Sequence, residues 1–371
     1  MKKAFFCLMA LVLPLMACNA GDVKVTGNLK GLGDDLKVYK MDINTMRPGE
    51  PTTQTAKDGK FSFTIATDEP TQVYIVDQLQ RRISFVAVPG ESVTFDGDLY
   101  QRYDINGSAF YQQYHQADLM MEEAQKPFMA LQEDLIAKIQ AGTMSQDSAM
   151  KVFQAQGPAL QKAINAKVME YVKAHAGEDA TAAIIAQLEE PDFNAAYALL
   201  TPAVKEGRMK TFLEAYKKMY QREREKEEAA AKKQAAGVEA PDFTLNDIHG
   251  KPLTLSSLRG KYVILDFWGS WCGWCIEGMP QMKEYYKKYA GKFEIVGVDC
   301  NDSEEKWKAT VEKHQLPWLH VYNPKDSKVQ EDYAIQGFPT KIVIGPDGKI
   351  VKTIVGEDPA FYIFLDETFG K

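Results

Sequence analysis

The sequence predicts a multidomain chain that ends in an α/β domain with a mixed sheet and helices on both faces. Three observations lead to this prediction. Short β-like segments separated by turns fill residues 18–107, and helix-forming residues dominate residues 108–236. From 237 to 371, strand patterns alternate with helix patterns. We therefore expect an antiparallel β-sandwich, an all-α region and the α/β domain, in that order.

Composition places the chain among ordinary globular proteins. Its 371 residues are enough for two or three domains with their own cores. It carries 44 basic and 51 acidic residues, for a formal charge of −7. A nucleic-acid-binding protein usually leaves a basic footprint, so we expect no nucleic-acid partner.

Residues 1–17 have the features of a secretory signal. Lys2 and Lys3 form a positive start, and the apolar run that follows is shorter than an ordinary membrane-spanning helix. Leu15-Met16-Ala17-Cys18 resembles a bacterial lipoprotein cleavage box, so Cys18 is the expected lipidated residue. A lipid there would anchor the protein in the cell envelope, facing the periplasm. The alternative is ordinary secretion with Cys18 incidental.

The β-sandwich is predicted from segments that alternate or run apolar between turns such as Asp58-Gly59 and Pro89-Gly90. These segments are 23–29, 37–41, 60–66, 72–77, 83–88 and 92–96. In the helical region, the expected breaks fall at glycine and proline: Gly142, Gly157-Pro158, Gly177 and Pro191. The charged, alanine-rich stretch 221–236 predicts a solvated helix that leads into the last domain.

The last domain begins with a predicted hairpin and then alternates strands with helices. The expected strands are 243–247, 251–254, 262–268, 293–299, 319–322, 341–344 and 349–355. The expected helices are 276–289, 303–315, 327–333 and 359–369. Parallel strands present functional groups at their carboxyl ends, so we expect the active site where the 262–268 strand ends.

The most informative stretch is KYVILDFWGSWCGWCIEGMP, residues 261–280. Tyr262–Trp268 is an apolar run typical of a buried parallel strand. A short turn then places Cys272 at a helix N-terminus, where unpaired backbone N–H groups and the helix dipole favour a thiolate. Cys275 lies one helical turn further on the same face, close enough to form a disulfide with Cys272. This arrangement suits reversible thiol–disulfide exchange, with Cys272 as nucleophile and Cys275 as the resolving thiol.

From about residue 238 to 371 the chain resembles the thioredoxin superfamily, specifically its membrane-anchored thioredoxin-like reductases with a redoxin-type (AhpC/TSA-type) start. Four short motifs carry the resemblance: Ala240-Pro241-Asp242-Phe243, Asp266-Phe267-Trp268, Trp271-Cys272-Gly273-Trp274-Cys275 and Gly337-Phe338-Pro339-Thr340. The β region resembles the small β domain of unknown function that precedes thioredoxin domains in secreted lipoproteins.

The resemblance implies roles for further residues. Asp266 corresponds to the family's buried acid, which has a raised pKa and relays a proton to or from Cys275. Pro339 corresponds to the cis-proline that faces the two cysteines, beside a backbone that pairs with extended substrate. The expected substrate-binding residues are Trp271, Trp274, Phe338 and Thr340.

The sequence departs from the family pattern at two positions. Trp274 stands where many relatives carry proline, which leaves the choice between reductant and oxidant open. Many relatives carry glutamate three residues after the second cysteine, whereas this chain has Gly278 there and Glu277 one residue earlier. Cys300 is expected to be a small buried residue, with a third redox thiol as the alternative.

The predicted function is a periplasm-facing, lipid-anchored thiol–disulfide oxidoreductase that reduces protein disulfides with electrons from a membrane partner. No cofactor and no metal are expected, because a zinc site needs two more ligands than the cysteine pair supplies. Two alternatives stay open. One is a thiol peroxidase, although the spacing before Cys272 and Cys275 does not fit the peroxidatic motif. The other is a partner- or ligand-binding module in which the thiols are secondary.

Overall fold

The computed structural model describes residues 21–370 and divides the chain into two compact units, one up to Gln221 and one from Arg222 onward. The predicted signal segment 1–17 and Cys18 lie outside the described residues. Between residues 21 and 370, no helix combines the length and apolar character needed to cross a bilayer. The predicted order of a β-rich region, a helical region and an α/β region is confirmed.

The first unit begins with two β-sheets. Their strands are β1 (Asp22–Lys30), β2 (Asp35–Asp42), β3 (Arg47–Pro48), β4 (Thr52–Thr55), β5 (Lys60–Ala66), β6 (Thr71–Asp77), β7 (Arg82–Ala87), β8 (Ser92–Asp98) and β9 (Arg102–Gly107). One sheet has the order β5-β1-β8-β9, and the other has β3-β2-β6-β7 with β4 also paired to β2. The pairs are antiparallel except for β1 and β8, which run parallel.

Helices follow the sheets: α1 (Ala109–Gln140), α2 (Gln146–Ala174), α3 (Asp179–Ile185), α4 (Asp192–Leu199), α5 (Pro202–Glu206) and α6 (Lys210–Lys233). The break predicted at Gly157-Pro158 is wrong, because α2 continues through both residues. Proline normally disfavours the helical conformation of the preceding residue by a clash with its Cβ. Gly157 has no Cβ, so part of that obstacle is absent.

Strands and helices of the first unit share one hydrophobic core. The sheet side of this core contains Phe85 and Phe95, which are both fully buried and lie 5.2 Å apart between ring centroids. Tyr111, in the first turn of α1, is also fully buried and donates a hydrogen bond to the Val86 carbonyl at 2.9 Å. The β-sandwich therefore buries its inner faces together with the start of the helical region.

The second unit contains a five-stranded mixed sheet of order β14-β13-β12-β15-β16 and a two-stranded hairpin, β10-β11. The strands are β10 (Thr244–Asn246), β11 (Pro252–Thr254), β12 (Tyr262–Trp268), β13 (Phe293–Asp299), β14 (Leu319–Val321), β15 (Thr340–Ile344) and β16 (Ile350–Val355). The helices are α7 (Gly273–Lys288), α8 (Glu304–His314), α9 (Val329–Asp332) and α10 (Ala360–Phe369). In this sheet β12, β13 and β14 run parallel, whereas β15 pairs antiparallel with β12 and β16.

The central strand β12 separates two cores. Side chains alternate along a strand, and Val263, Leu265 and Phe267 belong to one buried cluster. Ile264 and Trp268 belong to another, together with both cysteines and apolar residues of α7 and α10. Asp266 lies between Ile264 and Trp268 in this alternation, so its carboxyl group is on the face covered by the active-site helix.

We expect Phe95→Ala to lower the free energy of unfolding of the first unit by about 3–5 kcal/mol, because it leaves a cavity in a close-packed core. Urea denaturation followed by far-ultraviolet circular dichroism measures this change. Leu79→Ala is the matched control, since Leu79 is 64% exposed. Equal denaturation midpoints for the two variants would contradict the assignment of Phe95 to the core.

Candidate active site

The cysteine pair is positioned by the junction between β12 and α7. Strand β12 ends at Trp268, and Cys272 is the N-cap residue of α7. Gly269 permits the tight turn between them, because a Cβ at this position would lie 2.4 Å from Trp271 Nε1 and 2.8 Å from the Cys300 carbonyl oxygen. The junction therefore places the first sulfur at a helix N-terminus, as the sequence predicts.

Cys272 and Cys275 form a disulfide, with Cα atoms 5.3 Å apart. The Cys275 backbone N–H donates to Cys272 Sγ at 3.2 Å. A donor at a helix N-terminus stabilises negative charge on this sulfur once the disulfide is reduced. Both cysteines are nearly buried, at 6% and 5% exposure. The assignment of Cys272 as nucleophile thus depends on its N-cap position and not on greater exposure.

Aromatic residues surround the disulfide. Trp271 and Trp274 are 53% and 52% exposed. Trp271 Nε1 donates to the Cys300 carbonyl at 3.0 Å, and its ring packs edge-on against Phe338 at 5.2 Å between centroids. Trp271 is therefore fixed from two sides, and both tryptophans, which adjoin the cysteines in the chain, expose apolar area to solvent.

The Phe338–Pro339 peptide bond is cis. Thr340 follows it and is 1% exposed, and its hydroxyl donates to the Gly337 carbonyl at 2.7 Å. This hydroxyl therefore supports the loop that carries Pro339 and does not face the surface where a substrate would lie. Phe338 is half-buried and contacts Trp271.

Asp266 lies on the face of β12 that α7 covers and is 5% exposed. Burial raises the pKa of its carboxyl group to about 6; nearby Lys341 lowers this pKa and Glu357 raises it further. Asp266 Oδ1 lies 3.8 Å from Lys341 Nζ and accepts no hydrogen bond. An acid with this pKa exchanges protons near neutral pH, which suits a proton relay.

Sequence reasoning missed the charged partners of Asp266. Lys341 is opposite Asp266 in the β12–β15 register, and its Nζ lies 2.8 Å from Glu357 Oε2. The sequence did contain a signal for Lys341, which is a lysine inside the apolar strand 340–344. A lysine buried there needs a counter-charge nearby. Glu357 gave no such signal, since it belongs to the loop between β16 and α10.

A second acid holds the turn before the cysteines. Asp302 accepts hydrogen bonds from the Ser270 backbone N–H and hydroxyl, both at 2.6 Å. Cys300, close by, is fully buried, and burial raises the pKa of its thiol far above the usual range. Its environment is that of an inert core residue. Among residues 21–370, no group of three or more histidine, cysteine or carboxylate side chains is placed to hold a metal ion.

The part of the chain that carries this site matches known proteins. Residues 236–353 match the AhpC/TSA family. The thiol-disulfide oxidoreductase ResA of Bacillus cereus is 39% identical over 130 residues, which are 35% of this chain and 75% of that protein. ResA of Bacillus subtilis is 36% identical over 121 residues, or 32% of this chain and 67% of that protein. The crystallised thioredoxin domain of a thiol-disulfide oxidoreductase from Bacteroides vulgatus is 34% identical, and the match covers 36% of this chain and 98% of that one with a TM-score of 0.35.

With these relatives, the chain belongs to the thioredoxin superfamily. It is a thiol–disulfide oxidoreductase. The resemblance found in the sequence is thereby confirmed for the C-terminal part of the chain. The roles assigned to Cys272, Cys275, Asp266, Pro339 and the flanking aromatic residues stay predictions.

We expect Asp266→Asn to stabilise the C-terminal domain by about 3 kcal/mol at pH 8 and hardly at all at pH 4. The folded-state pKa of about 6 exceeds the ordinary value of 3.8. Below pH 3.8 Asp266 is protonated in both the folded and the unfolded protein, and it does not reduce the free energy of unfolding. As the pH rises from 3.8 through about 6, its ionisation increasingly destabilises the folded state, and asparagine avoids this cost. Urea denaturation followed by tryptophan fluorescence measures the effect, because all 5 tryptophans lie between residues 268 and 318. Asp326→Asn, at an exposed carboxylate, should show no such pH dependence, and an equal gain at both pH values would refute the prediction.

Proposed function

We propose that this chain is a lipid-anchored thiol–disulfide oxidoreductase that faces the periplasm and reduces disulfide bonds in proteins. The observation that carries the proposal is the Cys272–Cys275 disulfide at the N-terminus of α7, flanked by exposed tryptophans. This arrangement gives one sulfur a stabilised thiolate and keeps a second sulfur within bonding distance of it.

The proposed reaction passes two electrons from the dithiol to the substrate. The Cys272 thiolate attacks one substrate sulfur; a Cys272–substrate bond forms, the substrate disulfide breaks, and the released sulfur takes up a proton. Cys275 then gives its proton to the Asp266 carboxylate and attacks Cys272 Sγ. The Cys272–Cys275 bond forms and the substrate leaves with both sulfurs reduced.

The charges near the site favour the reducing direction. A dithiol oxidises its substrate strongly when the reduced form is stabilised as a thiolate. Here, two carboxylates, Asp266 and Glu357, share one ammonium, Lys341, on the face of the sheet under α7. The surplus negative charge beside α7 opposes the thiolate stabilisation that the helix N-terminus gives Cys272, and we take this opposition as support for a reductant.

The aromatic surface supports binding of an extended protein segment. Trp271 and Trp274 offer exposed apolar area, and the Phe338 ring, next to Pro339 in the chain, packs against Trp271. In the proposed complex, a substrate strand pairs with the backbone at Phe338, and its apolar side chains pack on the two indole rings. Thr340 acts only by supporting this loop.

The proposed location follows from the positive, apolar segment 1–17 and from Cys18 in a lipoprotein-like box. Lipidation of Cys18 would keep the enzyme at the membrane. After each turnover the Cys272–Cys275 disulfide needs two electrons. We therefore propose a membrane-embedded thiol donor as the electron-supplying partner.

We expect Cys272→Ser and Cys275→Ser to reduce insulin no faster than the uncatalysed reaction with dithiothreitol. Cys275→Ser should also accumulate a mixed disulfide between Cys272 and its substrate, because the resolving thiol is missing; mass spectrometry detects it. Cys300→Ala is the matched control and should keep the wild-type rate, since this thiol is fully buried. Insulin reduction by Cys272→Ser at the wild-type rate would contradict the proposal.

We expect Cys18→Ser to move the protein from the membrane fraction to the soluble periplasmic fraction of a Gram-negative host. The reason is the loss of the only expected lipid attachment point. Fractionation and incorporation of labelled palmitate measure the change, with Cys300→Ala as the control that stays lipidated. Membrane recovery of Cys18→Ser equal to that of the wild type would rule out anchoring through this residue.

A further inference from the structure

A carboxylate from another element occupies the space above Gly278 on the active-site helix. Gly278 lies three residues after Cys275, one turn further along α7. A Cβ at this position would lie only 2.4 Å from Glu357 Cδ. Glu357 comes from the loop between β16 and α10, and its side chain is 16% exposed. The absence of a side chain at Gly278 is therefore what allows Glu357 to sit against α7.

Lys341 connects this carboxylate with Asp266. Its side chain is 1% exposed, and its Nζ lies 2.8 Å from Glu357 Oε2 and 3.8 Å from Asp266 Oδ1. Tyr362 donates a hydrogen bond to Glu357 Oε1 at 2.7 Å. Glu357 thus pairs with Lys341, accepts a hydrogen bond from Tyr362 and packs against Gly278. A buried ammonium between two carboxylates can neutralise only one of them.

Titratable groups from several elements lie near the Asp266 carboxyl. They are Lys341 on β15, Glu357 on the loop after β16, Tyr362 on α10 and Cys300 after β13. Cys275 on α7 belongs to the same buried cluster as Ile264 and Trp268, which flank Asp266 on this face of β12. Lys341 and Glu357 are the charged members of this set. Their effects on Asp266 have opposite signs, because a positive neighbour favours its ionised form and a negative one disfavours it.

We propose that Glu357 and Lys341 are positioning residues that set the charge of Asp266 and thereby the transfer of the Cys275 proton. This inference rests on the proposed function, since it concerns the resolving step. In that step the proton moves from Cys275 Sγ to an Asp266 oxygen. The resulting thiolate forms the bond to Cys272 Sγ and breaks the Cys272–substrate bond. Asp266 must be ionised to accept the proton, so whatever shifts its ionisation shifts the pH at which the step runs.

Two substitutions that remove opposite charges near Asp266 test the proposal in the full chain. Glu357→Gln removes the negative neighbour and keeps the shape of the side chain. We expect it to move the Asp266 titration midpoint down by about 1 pH unit. Lys341→Met removes the positive neighbour and should move the same midpoint up by about 1 pH unit. Carbon-13 NMR of the aspartate carboxyl groups in the oxidised protein measures the midpoint, with Asp266→Asn used to assign the signal.

The pH profile of insulin reduction gives the second readout. The acidic limb of kcat, which reports the enzyme–substrate state, should move in the same direction as the NMR midpoint in each variant. Gly278→Ala provides a variant with no change of charge, because its Cβ forces Glu357 away from α7; it should shift both readouts in the direction of Glu357→Gln. Glu367→Gln, an exposed glutamate on α10, is the matched control and should leave both unchanged.

The outcomes separate this inference from the proposed function. An Asp266 midpoint that stays fixed in Glu357→Gln and in Gly278→Ala overturns the inference, whatever the activity of the protein. Shifts of the same sign in Glu357→Gln and Lys341→Met overturn it as well, because general loosening of the site would produce them. A wild-type protein that does not reduce insulin would instead overturn the proposed function, while the NMR titration still reports the coupling. The inference is supported if Glu357→Gln and Lys341→Met shift in opposite directions, and if the NMR midpoint and the pH profile agree on each direction.

Discussion

The register between β12 and β15 decides which charges meet inside the C-terminal domain. Asp266 lies opposite Lys341, and a shift of one residue would turn Lys341 to the other face of the sheet. The ammonium would then be buried among apolar side chains without a counter-charge, which costs several kcal/mol. Apolar neighbours such as Ile264 and Val343 hold the register through packing on one core. The electrostatics of the site therefore depend on ordinary hydrophobic packing two residues away on each strand.

Much of this domain could be predicted from the sequence. The apolar run Tyr262–Trp268, the turn after it and the cysteine spacing together predict a strand, a helix and a thiol at the N-cap, and the structure has all three. The charges around Asp266 could not be predicted in this way. Lys341 is far from Asp266 in the chain and meets it only through strand pairing. Glu357 lies in a loop, where no periodicity indicates the direction of a side chain.

The first unit shows where pattern reasoning is weaker. The strand Thr52–Thr55 has only exposed or half-buried side chains and lacks the apolar alternation that predicts a strand. The strand Arg102–Gly107 does alternate Tyr103 and Ile105 with polar residues, but over too short a stretch to be predicted. Thr52–Thr55 is defined by its pairing with β2 and not by its own residues. The helices α1 and α2 contain Pro127 and Pro158, at which the sequence rules would end a helix. Because β strands and helices contribute to one core, removing either part would expose apolar surface of the other.

The close approach of Glu357 to Gly278 also restricts which amino acids these two positions can carry together during evolution. A Cβ at position 278 and a carboxylate at position 357 compete for one space. A side chain at position 278 therefore requires that the Glu357 carboxylate move aside or be replaced. These two positions are therefore expected to vary together in homologous sequences.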